Sequence, residues 1–552
     1  MEKKYVAQIK EIFRGDVRTD EETLVRLSHD TSLFSVRPSL ALAPRDVHDV
    51  VHAVLYVAKM NAEGIRMSIT ARSAGTDMTG GPLTEDIVME FTKYMNTLKK
   101  ITDTYAIVEP GMYYRDFEKA TLAKGLLMPS YTASKDICAV GGMVANNSGG
   151  EKTLTYGKTE QYVRRLSVVL SDGSRADFEK LTFKELEEKK KQKNFEGEIY
   201  RRMHTLCETH AEILESAKPN VTKNSAGYYL WNILDKDTQT FDLTRLIVGS
   251  QGTLGLVTEI EFALIRPKQH SRLVVIFLDE MQTLAGVIGK LLTFKPESLE
   301  SYDDHTFRFA MRLFPIIMKR MKGSAISLAF RFWPEFKAVL TGGVPKLILL
   351  AEFTGDSDAE AEKKAQIACT AMKNDGYKAR LTSDAHEAEK YWVMRRESFN
   401  LLRQQMKGVR TAPFIDDFAV HPDDLPKFLP ELYSILDQYS LTYTIAGHMG
   451  DANFHIIPLM DLSNPETKNV IQEITDKVYT LVLSYRGTIT AEHNDGLIRS
   501  SYLSRMYGNE IYTLFEETKN IFDPHNIFNP GKKVGADRAY AFAHMVNSNI
   551  IT

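Results

Sequence analysis

The segment Ala446–His455 reads AGHMGDANFH, with two histidines, an aspartate and an asparagine set around glycines ahead of the apolar run FHIIPLM. Imidazole is the usual neutral metal ligand and proton acceptor, and glycine lets a backbone bend tightly enough for two imidazoles to face one point. Taken alone, the pair reads as a polar turn before a strand, and Glu492–His493 in AEHND reads as a surface dipeptide. The three cysteines, Cys138, Cys207 and Cys369, lie in separate parts of the chain with no CxxC spacing. This excludes a disulfide framework, a zinc ribbon and an iron–sulfur cluster as main features. Any metal must then rely on His, Asp and Glu, and any redox chemistry on a bound organic cofactor.

Three glycine-rich segments could hold such a cofactor. TARSAGTDMTGG (Thr70–Gly81) follows a strand-like run, and its successive backbone N–H groups can form an anion nest suited to a pyrophosphate. It is not the GxGxxG of a nicotinamide-binding unit. ICAVGGMVANNSGGEKTLTYGKTEQYV (Ile137–Val163) and VGSQGTLGLVTE (Val248–Glu259) add backbone for close approach, flanked by Asn, Ser and Thr that can hydrogen-bond a planar heterocycle. One such segment fits an ordinary tight turn; three together do not.

The elements that would position these residues follow from periodicity. SLALAP reads as extended, and a helix capped by Asp46 carries Val47, Val50, Val51, Val54, Leu55 and Ala58 at helical spacing. Short strands are expected in MSITAR, DIVMEFT, YAIVEPG, LSVVLSDGS and LIVGSQGTLGLVTEIEFALI, which makes residues 1–267 an α+β unit. KELEEKKKQKN reads as a solvated helix face or loop. After Pro267, strand RLVVIFL precedes helix MQTLAGVIGKLL, and KLILLAEF precedes DAEAEKKAQIACTAMK, a pattern like a ferredoxin-like cap over 268–500. Residues 501–552 read as a C-terminal helical segment.

With 552 residues, 43% hydrophobic and 26% charged, the chain can bury a large core, and a formal net charge of -3 argues against a field built for nucleic acid. Neither a signal peptide nor a membrane-spanning run is read, so a cytoplasmic location is expected. His305–Lys337 is basic and rich in Phe, Trp, Met and Ile, which suits either peripheral contact with an anionic membrane face or a helix pair with a solvated basic side.

These segments together resemble the vanillyl-alcohol-oxidase-type FAD-linked oxidase family, in the branch of glycolate oxidase, D-lactate dehydrogenase and D-2-hydroxyglutarate dehydrogenase. The resemblance rests on RSAGTDMTGG, VGGMVANNSGG with Tyr156–Gly157, SAGYYL, GSQGTLGLVTE, GHMGDANFH, GTITAEHNDG and IFDPHNIFNPGK in the family's order. It implies a two-subdomain PCMH-type FAD-binding domain, a ferredoxin-like cap and a C-terminal segment returning to the flavin. Implied FAD contacts are Arg72, Ser73, Ala74, Gly75, Thr76, Asp77, Gly80 and Gly81 in the first segment. In the second they are Pro129, Ser130, Val140, Gly141, Gly142, Asn146, Gly149, Tyr156 and Gly157, and beyond it Gln251, Gly252, Leu256, Val257 and Asn529. No histidine stands in RSAGT, so non-covalent FAD is expected.

The same resemblance implies His448, His455 and Glu492 as ligands of a divalent metal, Zn with Mn or Fe as alternatives, and His493 as the general base. Arg395 would hold the substrate carboxylate, with Arg396 as the alternative, and a helix surface salt-bridged through RRE is the competing reading. Gly450 is expected to allow the turn between the histidines, with Asp451 and Asn453 beside the site. Phe399 and Ile415 replace a threonine and a lysine of the 2-hydroxyglutarate relatives, which points to a monocarboxylic or more apolar acid. Asn494 and Asp495 would add polarity beside the base, while Gln251 and Asp77 depart from the usual acid and the usual Gly or Asn. The implied function is oxidation of a D-lactate- or glycolate-like 2-hydroxy acid, with a quinone, cytochrome or electron-transfer flavoprotein as acceptor and a homodimer as the common assembly. A non-catalytic flavin-binding subunit and a non-redox enzyme of the alkylglycerone-phosphate synthase type are the alternatives.

Overall fold

The computed structural model describes residues 1–304, 344–384, 387–395 and 408–547. The basic segment His305–Lys337, Arg396 and Phe399 lie outside the described residues.

Strands are numbered in chain order. The first sheet runs β1 (Asp16–Arg18), β2 (Leu40–Ala43), β4 (Ile87–Glu90), β3 (Ile69–Arg72), with β2, β4 and β3 parallel. Parallel neighbours require crossovers, and the helix Val47–Ala62 supplies the one after β2. Asp46 caps it by accepting from the N–H groups of His48 and Asp49, as the sequence predicts. The second sheet is antiparallel, in the order β5 (Leu98–Ile101), β6 (Tyr105–Val108), β12 (Leu256–Ala263), β7 (Val163–Val169), β8 (Arg175–Glu179). In β12, Leu256, Thr258, Ile260 and Phe262 are buried and alternate with less buried residues, the period of two that a one-faced strand requires. The expected long strand through LIVGSQG is shorter than predicted: Thr244–Ile247 is a helical turn, and the glycines after it form a loop. A small sheet joins β9 (Leu181–Thr182), β10 (Leu234–Asp235) and β11 (Thr240–Phe241).

The third sheet begins in the order β16 (Lys378–Leu381), β13 (His270–Leu278), β15 (Leu347–Gly355), β14 (Ser298–Asp303). Two strand–helix–strand units, β13–β14 around helix Leu284–Thr293 and β15–β16 around helix Asp358–Asn374, interleave as in a ferredoxin-like fold. Ser357 caps the second helix, and Ala361, Ala365, Ala368, Cys369 and Met372 form its buried face. The small residues of that stripe let the helix lie close to the sheet. Beyond β14 the sheet continues through β19 (Thr442–His448), β20 (Asn453–Met460) and β17 (Arg410–Thr411), with β18 (Phe418–Ala419) also paired to β20. Helix Leu503–Phe522 then leads back to the first sheet, where Phe528 bridges Ile69 and the Asn529 N–H donates to the Ile69 carbonyl. Among the described residues, no helix is long and apolar enough to cross a membrane.

Candidate active site

A cavity of about 540 Å³ opens between the glycine-rich loops and the face of the third sheet. Its volume is in the range of small-molecule sites. Arg72, Ser73, Ala74, Gly75, Thr76, Asp77 and Gly81 line it at one end. Gly141, Gly142, Asn146, Gly149, Gln251, Gly252 and Val257 form further wall. Arg395, Asp416, His448, His455, Glu492 and His493 close the other end.

The walls suit a dinucleotide. A Cβ on Gly142 would meet only the Ser73 Cβ at 3.7 Å, and one on Gly252 only the Ala71 Cβ at 3.5 Å, so any longer side chain there would enter the cavity. The N–H groups of Ala74, Gly75 and Thr76 donate to no protein acceptor among the described residues, which leaves them for an anion. Gly75 takes φ +70°, and a Cβ there would lie 2.1 Å from the Arg72 guanidinium, so the cation sits directly beneath this turn. Arg72 is held there by the carbonyls of Leu27 and His29.

Eight residues implied to touch FAD are instead outside the cavity wall. Leu256 is in the core behind it, and Tyr156 donates to Glu297 while Gly157 packs on the Gln161 side chain. Gly80 packs on Phe34 and Leu497, Val140 sits in a core cluster, and the Ser130 hydroxyl donates to the Ser148 carbonyl. Pro129 is buried off the wall. Asn529 is saturated by protein, donating to the Gly81 and Gln251 carbonyls and accepting from Thr70. These residues shape the loops from behind, because a turn that presents its backbone to a ligand must pack its side chains inward. Asp77 works in the same way, accepting from the N–H groups of Thr79 and Gly81 and from Asn146 Nδ2. Asn146 in turn accepts from Gln251 Nε2, and Gln251 Oε1 accepts from the Gly496 N–H.

At the other end, strand pairing sets the geometry. His448 is the last residue of β19 and pairs in register with Glu300 of β14, while His455 of β20 pairs with Ala446. Paired residues share a face, so Glu300, His448, Ala446 and His455 crowd one surface. The AGHMGDANFH segment is therefore a β-hairpin rather than a turn before a single strand. Its left-handed residue is Ala452 (φ 45°), not Gly450. Gly450 is needed for a different reason: a Cβ there would lie 2.6 Å from Leu154 Cδ2.

The donor atoms of His448, His455 and Glu492 lie within 4.8 Å of one another, and His448 Nε2 is 3.4 Å from Glu492 Oε2. His448 Nδ1 is 2.7 Å from Glu300, and His455 Nδ1 is 2.9 Å from Asp416, which leaves both Nε2 atoms for the common point. Two imidazoles and a carboxylate, each imidazole tied to a second carboxylate, fit a divalent cation with open positions. Electrostatics agree. Burial opposes charge on His448, but Glu300 outweighs it and pushes the imidazole up to about 9. Burial likewise opposes charge on Glu492, yet Lys223 and His448 hold its carboxyl well below the usual range. A bound cation would take the place of such protons.

His493 lines the cavity with its ring stacked on His455 at 5.2 Å and Nδ1 2.9 Å from Asp416 Oδ2. Its backbone is fixed by Asp417, whose carboxylate accepts from the N–H groups of Ala491, Glu492 and His493 and from the Thr490 hydroxyl. Asp417 and Asn494 both hold φ 72°, strain that persists only because these contacts over-determine it. The expected polarity of Asn494 and Asp495 beside the base is not found. Asn494 donates to the Gly249 carbonyl, and Asp495 pairs with buried Lys533 at 2.7 Å. Asp451 meets Lys223 at 3.1 Å, Asn453 donates to Asp417, and Ile415 is buried in the core. Arg395 pairs with Glu300 at 3.1 Å, and its buried Nε has no hydrogen-bond partner among the described residues.

Sequence reasoning missed Glu300, Asp416, Asp417 and Lys223. Glu300 and Lys223 are single charged residues with no motif of their own, and only the DD pair at 416–417 offered a local signal.

Residues 268–533 match the family described as FAD linked oxidases, C-terminal domain, and 38–179 match FAD binding domain. The chain is 28% identical over 526 residues to D-2-hydroxyglutarate dehydrogenase of Pseudomonas putida, covering 94% of this chain and 50% of that protein. It thus spans about half the length of that relative. It is 24% identical to glycolate oxidase subunit GlcD of Bacillus subtilis, covering 95% of each chain. The fold is shared with p-cresol methylhydroxylase with substrate bound, at a TM-score of 0.68 and 15% identity over 96% of each chain. With both matched regions in place around the glycine-rich loops of a PCMH-type fold, the chain carries the FAD-binding and C-terminal regions found in FAD-linked oxidases.

Proposed function

We propose that this chain oxidises a 2-hydroxy acid of the D-lactate or glycolate kind to the 2-oxo acid. One observation carries the reading: the anion cradle at Ala74–Thr76 and the donor set His448, His455 and Glu492 line the same cavity. The D-2-hydroxyglutarate dehydrogenase and glycolate oxidase names of its relatives support it. When bound, non-covalent FAD supplies a two-electron acceptor, and a divalent cation such as Zn²⁺ supplies a Lewis acid that acidifies a hydroxyl.

The protein's own groups then divide the remaining work. His448, His455 and Glu492 would hold the cation, with Glu300, Asp416 and Lys223 fixing their orientation. Arg395 binds the substrate carboxylate through the guanidinium edge that Glu300 leaves unused. His493, with Nδ1 against Asp416, presents Nε2 to take the hydroxyl proton. Glu300 already offsets the Arg395 charge, which favours acids with one carboxylate. A quinone, cytochrome or electron-transfer flavoprotein is the expected acceptor.

The test is anaerobic mixing of metal-replete protein with a panel of D- and L-2-hydroxy acids while following flavin absorbance. Bleaching by short monocarboxylic D-acids is expected. No bleaching by any acid overturns the proposal.

A further inference from the structure

Two carboxylates behind the donor set have the same relation to it. Glu300, fully buried, spans His448 Nδ1 at 2.7 Å and Arg395 Nη2 at 3.1 Å. Asp416, also fully buried, spans His455 Nδ1 and His493 Nδ1, each at 2.9 Å. Each therefore ties one of the two histidine donors to one side chain that would face substrate. His493 Nδ1 and Asp416 Oδ2 are buried with no hydrogen-bond partner among the described residues, so their 2.9 Å ion-pair contact and the stacking on His455 are what orient the ring.

We propose that Glu300 and Asp416 are positioning residues with separate tasks: Glu300 couples the metal site to substrate-carboxylate binding, and Asp416 couples it to proton transfer. The inference rests on the proposed 2-hydroxy-acid oxidation for its substrate half and on the donor set alone for its metal half. A carboxylate has no donor and four lone-pair sites, so it accepts from two N–H groups at once. A carboxamide of the same shape keeps an acceptor at one end only and places a donor NH₂ at the other. In Glu300→Gln, the amide either turns its NH₂ toward Arg395 and repels the fork, or turns it toward His448. The second choice moves the imidazole proton to Nε2 and blocks metal ligation. In Asp416→Asn the oxygen stays on one ring and the NH₂ faces the other. If that other ring is His493, its Nδ1 becomes the acceptor and its Nε2 keeps the proton, so the base is in the wrong tautomer.

The experiment uses the full chain with FAD. Zn²⁺ affinity of metal-stripped protein is measured by competition with a chelating dye, and KM and kcat are measured with D-lactate and an artificial dye acceptor. Glu300→Gln is expected to raise KM by about 10–100-fold with kcat less affected, or to weaken Zn²⁺ binding by a similar factor. Asp416→Asn is expected to lower kcat by about two to four orders of magnitude with KM little changed. Glu300→Ala and Asp416→Ala should each weaken Zn²⁺ binding by about 10–100-fold. Equal effects of the two amide variants on KM and kcat, or alanine variants that bind Zn²⁺ as the wild type does, would overturn the inference. If no hydroxy acid reduces the wild-type flavin, the proposed function falls, and the clamps stand or fall on the Zn²⁺ affinities.

Discussion

Lys223 Nζ lies 2.7 Å from Glu492 Oε1 and 3.1 Å from Asp451, and the lysine side chain has no exposed surface. It is the buried countercharge that, against burial, helps hold the Glu492 carboxyl well below the usual range beside the donor set. Lys223→Met leaves both buried acids without it, and losing one partner of a buried pair costs about 3–5 kcal/mol. Urea denaturation of the metal-free variant should show that loss. Added Zn²⁺ should recover part of it, because a cation on Glu492 replaces the missing charge.

Gly142 has open cavity where a Cβ would point. Gly142→Val should shift the thermal midpoint of the FAD-free protein little, since a Cβ there meets only the Ser73 Cβ, at 3.7 Å. The purified variant should lose most of its flavin absorbance, by occupying space that the cofactor needs. Retained flavin at wild-type stoichiometry would show that the cofactor does not approach this turn.

Asp417 anchors the Glu492–His493 backbone through its carboxylate and holds a left-handed conformation. Asp417→Gly keeps that conformation accessible and removes only the anchor. Loss of several charge-assisted hydrogen bonds predicts about 3–5 kcal/mol of destabilisation. A chemical denaturation midpoint close to that of the wild type would contradict it.

Lys152 joins the glycine-rich loops to the third sheet by pairing with Glu297 and, at 2.6 Å, with Glu352. Burial would raise the Glu297 pKa, but the Lys152 charge outweighs it and holds the carboxyl below its ordinary 4.5. A carboxyl whose pKa is lower in the folded state adds stability above its unfolded pKa and loses it as pH falls through the folded value. Stability should therefore drop below about pH 4.5 in the wild type, and that acid limb should be shallower in Lys152→Met. Thermal midpoints recorded across pH 3–6, on the order of one every half unit, would check the slope.

Much of this was written in local sequence. Glycine clusters after short strands announced the cradle, because only residues without side chains let backbone approach a ligand, and Asp46 announced a helix start by its own hydrogen bonds. The ferredoxin-like pattern was visible in two strand–helix pairs. Their closing strands, β14 and β16, were not, since SLESYD and KARL carry no clear alternation.

What the sequence determined by itself was the chemistry on offer: histidines and a carboxylate in place of thiolates, and glycine turns in place of a nicotinamide fingerprint. Which groups meet was decided only by tertiary structure. Glu300 stands 148 positions from His448 and Asp416 stands 39 from His455; strand pairing brings Glu300 onto its imidazole, and the loop leading into β18, which pairs with β20, brings Asp416 onto its own. Register is set by which face of a strand the whole core buries, so no local stretch encodes it. The same holds for Lys223, whose burial between two acids is the result of packing three distant segments together.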